Sequence, residues 1–495
     1  MHRNNHAQHP KRRIPTIAWL FALLPTIAWP PAQAQTNLLA GPPTYSLEEC
    51  LQQARENNHR RPAAAHAIAI AEAQHQQALA GYWPQFTLRT ALERRDQDPN
   101  YIFPSRAIDL PMGGTIPMTI PGVGTIPLHS LQIPAQEIKL ADRDSAYTSA
   151  QATWLIYDGG LRSGWRQQTR AGLAAAHAEA RRTDLEIADT VHRHYYGAVL
   201  ARQLHQLGRD TLARLETTLQ LTETLFKEGS GEKVKKTDYL ENKLMVENLR
   251  TLLIHLKKNE TLSQAALANT LGLSWRESIR PADTNISYTP FAAELEPTIS
   301  TAYQFNPDWA RLEAGLAAAE GAVQTARSGH APKLALTGDL HQWWNEAETG
   351  TATRENKQGW TLGLGLQIPL GDGYLTRNKV REARARADQL KQQKILLQEG
   401  LGLQIKDLVL GLAAARQTCQ ATATALQTAT ENRDLNTRAY QNELVETERV
   451  IRAQLVEALT AAQHYRSRYE HQILQSQLNL VVGTEITQRL GVRPE

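Results

Sequence analysis

Two stretches of the sequence recur in the same order, and this duplication constrains the fold more than any single motif. ALAGYWPQFTLRTAL (78–92) matches ARSGHAPKLALTGDL (326–340), with one glycine and one proline in register. WLIYDGGL (154–161) matches IPLGDGYL (368–375), with an Asp-Gly pair in register. Internal repetition indicates that two halves share one supersecondary structure. We therefore predict a first structural repeat over 35–280 and a second over 281–495, each with the order helix, two strands and a long helix pair.

Proline placement predicts where the long helices lie. No proline occurs between Pro134 and Pro281 or between Pro369 and Pro494. Apolar residues recur in both intervals at spacings near three and four, between charged faces, as in coiled-coil seams. A helix of roughly 65 residues would extend about 100 Å. We predict breaks in these helices near 227–237 and 442–447. The residues that define the two seams are Leu200, Leu204, Leu207, Leu212, Leu215, Leu219, Phe226, Ile451, Leu455, Leu459, Ala462, Tyr469 and Ile473.

Four segments alternate between apolar and polar residues, which is the period of a strand with one apolar face. They are 84–93, 146–157, 332–342 and the segment GWTLGLGLQIPLGDG at 359–373. Strands of about ten residues with one apolar face and aromatic ends are typical of a transmembrane β-barrel, and a soluble sandwich with buried tryptophans is the alternative. The candidates are Leu362, Leu364, Leu366 and Ile368 for lipid-facing positions, Arg89, Glu93, Asp339 and His341 for lumen-facing positions, and Trp83, Trp154, Trp343 and Trp360 for an aromatic girdle.

Four strands are too few to close a transmembrane barrel, which takes at least about eight. Open strand edges are not tolerated in lipid because their backbone groups find no hydrogen-bond partner. The barrel is therefore predicted to be shared between chains. The strand period alone leaves both two and three chains possible.

The N-terminus has the three regions of a secretory signal, so residues 1–34 are predicted to be removed. A basic patch at 11–13 precedes an apolar segment at 14–29 and the small-x-small site at 32–34. Four of the 54 Lys and Arg residues lie in this segment, which contains none of the 50 acidic residues, so the formal charge of +4 disappears on cleavage. The basic composition is therefore no argument for a nucleic-acid partner. Cys50 and Cys419 could form one disulfide or remain two thiols.

No catalytic or cofactor-binding constellation is present in the sequence. GSGEKVKKT (229–237) lacks the Gly-Lys-Ser/Thr ending of a phosphate loop. His192 and His194 lie two residues apart, which places them on different faces of a helix, and no HExxH motif occurs. We predict a protein that is not an enzyme and that needs no metal or cofactor.

The duplicated layout resembles the outer-membrane efflux protein (TolC) family over nearly the whole mature chain. YSLEECLQQARENN (45–58) is similar to the opening helix of that family, and FNPDWARLEAGLAAAEGAVQTARSGHAPKLALTG (305–338) is similar to its counterpart in the second half. The resemblance implies an α+β membrane protein, namely a trimeric β-barrel with four strands per chain, continued by a long α-helical coiled-coil barrel. It also implies a homotrimer in the bacterial outer membrane that extends into the periplasm and docks to a periplasmic adaptor and an inner-membrane pump.

The family narrows its pore at the helix tips, so the resemblance gives candidate gate or adaptor-contact residues. The second tip of the family has a tyrosine, a glycine and then a segment like DVLDAQ. Here Tyr440 fits, Glu443 replaces the glycine, and Arg449 and Arg452 occupy the carboxylate positions. At the first tip the corresponding candidates are Phe226, Gly229, Asp238 and Glu241.

The tip sequences suggest that opposite charges pair across the closed aperture. Asp238 and Glu241 share one helix face, and Arg449 and Arg452 share another, because each pair is three residues apart. The alternative is that these are solvated surface charges worth less than about 1 kcal/mol each.

Residues 110–134 repeat Thr-Ile-Pro three times. Their Pro and Gly content predicts an irregular loop that faces outward. Two functions remain after the whole sequence is considered: the outer-membrane channel of a tripartite efflux or type I secretion system, and a structural or adhesive periplasmic coiled-coil protein.

Overall fold

The computed structural model describes residues 43–109, 116–120, 124–128, 130–140, 143–227, 235–344, 357–442 and 444–485. Only the backbone is described for 116–120, 124–128 and 130–131. The predicted signal peptide (1–34), Gly229 and Glu443 lie outside the described residues.

Twelve strands and eight α-helices follow one another along the described chain. In order they are β1 (Thr44–Tyr45), α1 (Leu47–Asn57), α2 (Arg60–Ala80), β2 (Gln85–Arg94), β3 (Asn100–Phe103), β4 (Arg106–Asp109), β5 (Ile116–Ile120), β6 (Gly124–Leu128), β7 (Ser130–Ile133), β8 (Gln136–Lys139), β9 (Asp144–Tyr157), α3 (Leu161–Lys227), α4 (Lys236–Thr270), β10 (Arg280–Pro281), α5 (Leu295–Phe305), α6 (Pro307–Arg327), β11 (Lys333–Trp344), β12 (Gln358–Gln367), α7 (Leu375–Gln441) and α8 (Thr447–Val482).

The duplicated order seen in the sequence has a counterpart in helix lengths. Helices α1 and α5 have 11 residues each, α2 and α6 have 21, and α3 and α7 have 67. Helix α4 has 35 residues and α8 has 36. At 1.5 Å per residue, α3 and α7 are each about 100 Å long. The two predicted breaks fall between α3 and α4 and between α7 and α8.

All four predicted strands belong to one antiparallel sheet with the order β12-β11-β9-β2. Neighbouring strands are paired over most of their length. For example, β11 and β12 pair continuously from Lys333 opposite Gln367 to Gln342 opposite Gln358. Strand β12 ends at Gln367, so the last part of the segment 359–373 leaves the sheet. Ile368 therefore lies just beyond the strand.

The segment between β2 and β9 corrects one expectation. Residues 110–134 were expected to be irregular, but the described part of this region forms a two-stranded ribbon in which β3 pairs with β8, β4 with β7 and β5 with β6. Both strands of such a ribbon are edge strands, where proline is tolerated, and Thr and Ile favour extended backbone. Pro117 and Pro127 are directly opposite each other.

The most closely packed core lies where the short helices meet the long ones. Cys50 of α1, Tyr195 of α3 and Leu267 of α4 are fully buried together, and Phe291, Ile405 and Leu478 are buried in the corresponding cluster of the second half. Each such aliphatic or aromatic side chain contributes about 1.5–3 kcal/mol. No helix among the described residues is long and apolar enough to cross a membrane.

Candidate duct wall and helix tips

The four predicted lumen-facing residues share one face of the sheet. Arg89 of β2 is opposite Ser149 of β9, and Ser149 is opposite His341 of β11. Glu93 and Asp339 are on the same face because they lie an even number of residues from Arg89 and His341. The Asp339 carboxylate accepts a hydrogen bond across 2.9 Å from Nδ1 of His341. This face is polar across all four strands.

The opposite face is apolar and uncovered. Leu362, Leu364 and Leu366 of β12 are directly opposite Gly338, Leu336 and Leu334 of β11. Their side chains are about two-thirds exposed (Leu364 65%), although burial of apolar surface is the main driving force of folding. The same face continues to the other edge of the sheet with Leu340 on β11 and with Phe86, Leu88 and Leu92 on β2.

Two of the four girdle candidates, Trp154 and Trp360, lie on the apolar face near its ends, whereas one precedes the sheet and one points to the polar face. Trp83 precedes β2, and Nε1 of Trp154 donates to the carbonyl oxygen of Tyr82 at 3.1 Å. Trp360 is opposite Leu340 at the other end of the sheet. Trp343 instead points to the polar face, where its ring lies 4.4 Å from that of Tyr147. The next residue, Trp344, takes the apolar face, because successive side chains of a strand point to opposite sides.

Tyr440 joins three helices at the tip. Its buried hydroxyl lies 3.0 Å from Oγ1 of Thr222 on α3 and 3.1 Å from Oγ1 of Thr447 on α8. Thr222 also accepts a hydrogen bond from the amide of Asn242 on α4, at 3.5 Å. The network therefore connects the last turn of α7 with both helix pairs.

The other tip candidates that the structure describes are exposed, except Asp238, which is half-buried. The rings of Phe226 and Tyr239 are stacked with centroids 6.1 Å apart. The carboxylate of Asp238 accepts the backbone N–H of Lys235 at 3.1 Å, which caps the start of α4. Arg452 forms an ion pair with Glu448 on its own helix.

Asp238 and Glu241 do not contact Arg449 or Arg452 among the described residues of one chain. The predicted charge pairing across the tips is thus not formed within a single chain.

Sequence reasoning missed a buried ion pair that links the two halves further from the tip. Glu457 of α8 lies 3.0 Å from Arg214 of α3 and 3.1 Å from Arg433 of α7. The side chain of Glu457 is 9% exposed. A carboxylate is rarely fully buried unless it is paired. Glu457 lies within the apolar seam 451–459, and this position was the sequence signal that could have indicated a buried ion pair.

Groups that bind metals or react as nucleophiles are in structural roles. Nδ1 of His194 lies 2.6 Å from Oγ1 of Thr270, and Nδ1 of His192 lies 2.8 Å from the carbonyl oxygen of Ala188. Cys50 and Cys419 are buried free thiols, and burial raises the pKa of Cys50 to about 12. The described residues contain no cluster of three or more His, Cys, Asp or Glu that could hold a metal ion.

A two-faced sheet joined to two 67-residue helices places the chain in a class of proteins that combine a small sheet with long paired helices. The chain belongs to the outer membrane efflux protein family, whose sequence model matches residues 50–273 and 298–484.

Individual proteins show the same similarity. Protein CyaE of Bordetella pertussis is 26% identical over 266 residues, which are 53% of this chain and 53% of that protein. The chain is therefore matched over about half the length of this curated relative.

Solved structures share the fold. A membrane protein from Pseudomonas aeruginosa is similar at a TM-score of 0.71 with 18% identity, over 88% of this chain and 92% of its own. The outer membrane protein VceC from Vibrio cholerae is similar at 0.69 with 15% identity, over 88% and 96%.

Proposed function

We propose that this protein is the outer-membrane channel component of a tripartite efflux or type I secretion system and acts as a passive duct. The observation that carries the proposal is the four-stranded sheet, which has one exposed apolar face, one polar face and two edges. Family membership supports the efflux channel and agrees with the prediction that the protein is not an enzyme.

The two sheet edges support assembly of several copies. Among the described residues, β12 and β2 each pair on one side only. In lipid, every backbone N–H and C=O needs a partner within the protein, so β2 of one copy would pair with β12 of the next. Three copies would give a closed barrel of twelve strands, which fits the homotrimer that the resemblance implies. The apolar face would then contact outer-membrane lipid, and the polar face would line the lumen.

The long helices supply a second surface for neighbouring copies. Several large aliphatic side chains on α4 and α7 are at least half exposed in the single chain. Their burial between copies would stabilise a helical barrel that continues through the periplasm, about 100 Å long. These side chains are Leu244, Leu252, Ile254, Leu262, Leu396, Leu403 and Leu410.

One pair of variants tests the duct directly. Leu364→Arg places a charge on the apolar face, which costs about 2–4 kcal/mol near the middle of a bilayer. Thr337→Arg is the matched control because its exposed side chain points to the polar face. We expect Thr337→Arg and the wild type to be extracted from outer membrane as particles of about three protomers, and Leu364→Arg to assemble poorly. A wild-type monomer or dimer that does not fractionate with outer membrane would instead favour the structural or adhesive coiled-coil protein.

The helix tips are proposed as the inner gate and the adaptor contact. Arg449 and Arg452 lie at the start of α8, beside the Tyr440 network, and Arg449 has no ion-pair partner among the described residues. A charge latch would therefore form between copies, with Asp238 or Glu241 of a neighbour. Arg449→Ala/Arg452→Ala should increase the conductance of the purified channel in a planar bilayer, and an unchanged conductance would contradict the latch.

The class of exported substrate can be identified with a deletion strain. We expect a deletion strain to be hypersensitive to some members of a panel of drugs, detergents and metal salts, and the intact gene to restore resistance. Because the duct is passive, the pattern of sensitivity would point to the inner-membrane pump. Unchanged susceptibility with loss of a secreted protein would assign the channel to type I secretion.

A further inference from the structure

An open cleft of about 970 Å³ lies between the end of α6 and the start of α7. Four arginines line it, Arg327 from α6 and Arg377, Arg381 and Arg384 from α7, together with His330 and Tyr374. Asp388 is the one acidic residue in the lining, and its carboxylate already holds Nζ of Lys391 at 2.9 Å. The cleft therefore carries a strong positive charge.

The arginine cleft lies on the same side of the molecule as the apolar face of the sheet. A separate groove on the other side of α7 is lined by Lys379, Glu382 and Arg386, a stripe that is about half a turn away from the arginine stripe. Lys333 also lines that second groove, and its side chain belongs to the polar face of β11. The polar face thus continues into the second groove, and the apolar face continues towards the arginines.

The residues that line the cleft are also only a few positions from the end of the apolar face, where the membrane boundary would lie. His330 is four residues before Leu334 of the apolar face, and Tyr374 is six residues after Ile368. Tyr374 is 69% exposed, and the guanidinium group of Arg377 lies 5.9 Å from its ring centre. Exposed Tyr and Trp next to an apolar membrane-facing surface are typical of the interface between lipid and water.

The four guanidinium groups have no ion-pair partner within the described part of the chain, and their residues are exposed. Arginine presents a planar set of donors that matches phosphate oxygens. We propose that this cleft binds the headgroup of an anionic phospholipid in the membrane leaflet at the helical end of the barrel. The inference rests on the proposed orientation of the sheet in the outer membrane. Clusters of basic residues next to membrane-spanning segments recognise anionic lipids through the same electrostatics.

Native mass spectrometry of the full-length mature protein in detergent tests this proposal, with phosphatidylglycerol and phosphatidylcholine as probes. We expect the wild type to retain phosphatidylglycerol in preference to phosphatidylcholine. In Arg377→Gln/Arg381→Gln/Arg384→Gln this preference should fall by about a hundredfold, since each basic residue near an anionic surface contributes about fivefold. The control Lys333→Gln/Lys379→Gln/Arg386→Gln removes the same charge from the second groove and should keep the preference.

The other outcomes each overturn the proposal. Equal retention of both lipids by the wild type, or equal losses in the two triple variants, would show that no specific headgroup site exists. Displacement of phosphatidylglycerol by excess inorganic phosphate alone would indicate a site for free phosphate. Loss of the oligomer in the arginine variant alone would assign the arginines to contacts between copies. The same spectra give the oligomeric mass, so failure of the trimer and failure of the lipid site are distinguishable.

Discussion

The two strand-to-helix turns have the same sequence pattern but are stabilised in different ways. In the first half, Asp158 accepts a hydrogen bond from Nε of Arg162 at 2.6 Å, and this guanidinium group also donates to the carbonyl oxygens of Gly81 and Ile156. In the second half, Asp372 accepts the backbone N–H of Thr376 at 2.8 Å. Arg162 and Thr376 are both buried, four residues after the aspartate. A buried ion pair thus ties strand, turn and α2 together in one half only.

Two further matched positions differ along the long helices. Phe226 and Tyr440 are each the second-to-last residue of a 67-residue helix, and only Tyr440 has a hydroxyl to join the helices. Glu260 and His471 lie equally far from the starts of α4 and α8. Glu260 is paired with His205 at 2.9 Å, whereas both ring nitrogens of His471 are buried without a partner among the described residues. The two halves therefore share the same helix arrangement but differ in the polar interactions that their side chains make at matched positions.

The largest effect is expected at the first turn. Arg162→Ala leaves the carboxylate of Asp158 buried without its cation, and breaking a buried pair in this way costs about 3–5 kcal/mol. Thr376→Ala, the matched change in the second half, keeps the backbone N–H that Asp372 accepts and removes only a hydroxyl, so it should cost at most about 1 kcal/mol. Urea unfolding of the detergent-purified protein, followed by circular dichroism, measures both. Equal losses of unfolding free energy would mean that the two turns are held alike.

The glycines of the turns should differ for a steric reason. Gly159 and Gly373 both have positive φ, 66° and 60°. A Cβ built on Gly159 would lie 2.0 Å from Cβ of Ala331, whereas nothing lies within 4 Å of the corresponding position on Gly373. Gly373→Ala should cost about 1 kcal/mol of backbone strain, and Gly159→Ala about 2–3 kcal/mol because overpacking is added.

A compensating variant separates strain from overpacking. Ala331→Gly in the Gly159→Ala background removes the methyl group that would clash, so it should recover the difference between the two glycine variants in the same urea measurement. A double variant as unstable as Gly159→Ala alone would assign the whole cost to the backbone.

Local patterns were sufficient to predict the four strands of the large sheet, the long helices and their breaks. These patterns involve only residues that are close in sequence, namely the strand period, the seam spacing and the positions of Pro and Gly. Because the order of elements is duplicated, each element was also predicted independently in both halves. The strands in the described parts of 110–134 were not predicted because the Pro and Gly content was taken to indicate irregular structure, although proline is tolerated in edge strands. The girdle prediction for Trp343 rested on its position near a strand end, and a shift of one residue along a strand changes the face to which a side chain points.

Partners distant in sequence could not be predicted from these patterns. Tyr440 was a tip candidate, but Thr222, its partner, lies 218 positions away. Arg214 and Glu457 are likewise in different halves, 243 positions apart. Periodicity identifies the helix face of each residue but not which helix lies opposite, so such pairs require the packed structure.

The tips should respond to loss of one hydroxyl. Tyr440→Phe removes the group shared by Thr222 and Thr447, and we expect a loss of about 1–2 kcal/mol in unfolding free energy. Conductance should rise because α7 is less firmly held to α3 and α8. Phe226→Leu, at the matched position of the first half, keeps an apolar side chain and removes no hydroxyl, so it should change conductance less than Tyr440→Phe does. If Tyr440→Phe conducts like the wild type, the hydroxyl network contributes to stability only.

The smallest effect concerns acid stability and the unpartnered histidine. Burial lowers the pKa of His471, so the folded protein favours neutral imidazole more than the unfolded chain does. Stability from this group is therefore present above the unfolded pKa of about 6.5 and is lost as the pH falls through the lower folded pKa, by at most about 1.4 kcal/mol per pH unit.

His471→Phe keeps an aromatic ring against Tyr288, whose ring centre lies 5.0 Å away, and removes the ionisation. Thermal unfolding between pH 7 and pH 5 should then show a smaller acid-induced loss than in the wild type. A loss identical to that of the wild type would mean that His471 has the same pKa in the folded and the unfolded protein, and that other groups cause the acid sensitivity. His464 on the same helix, whose pKa is also lowered by burial, is the next group to test.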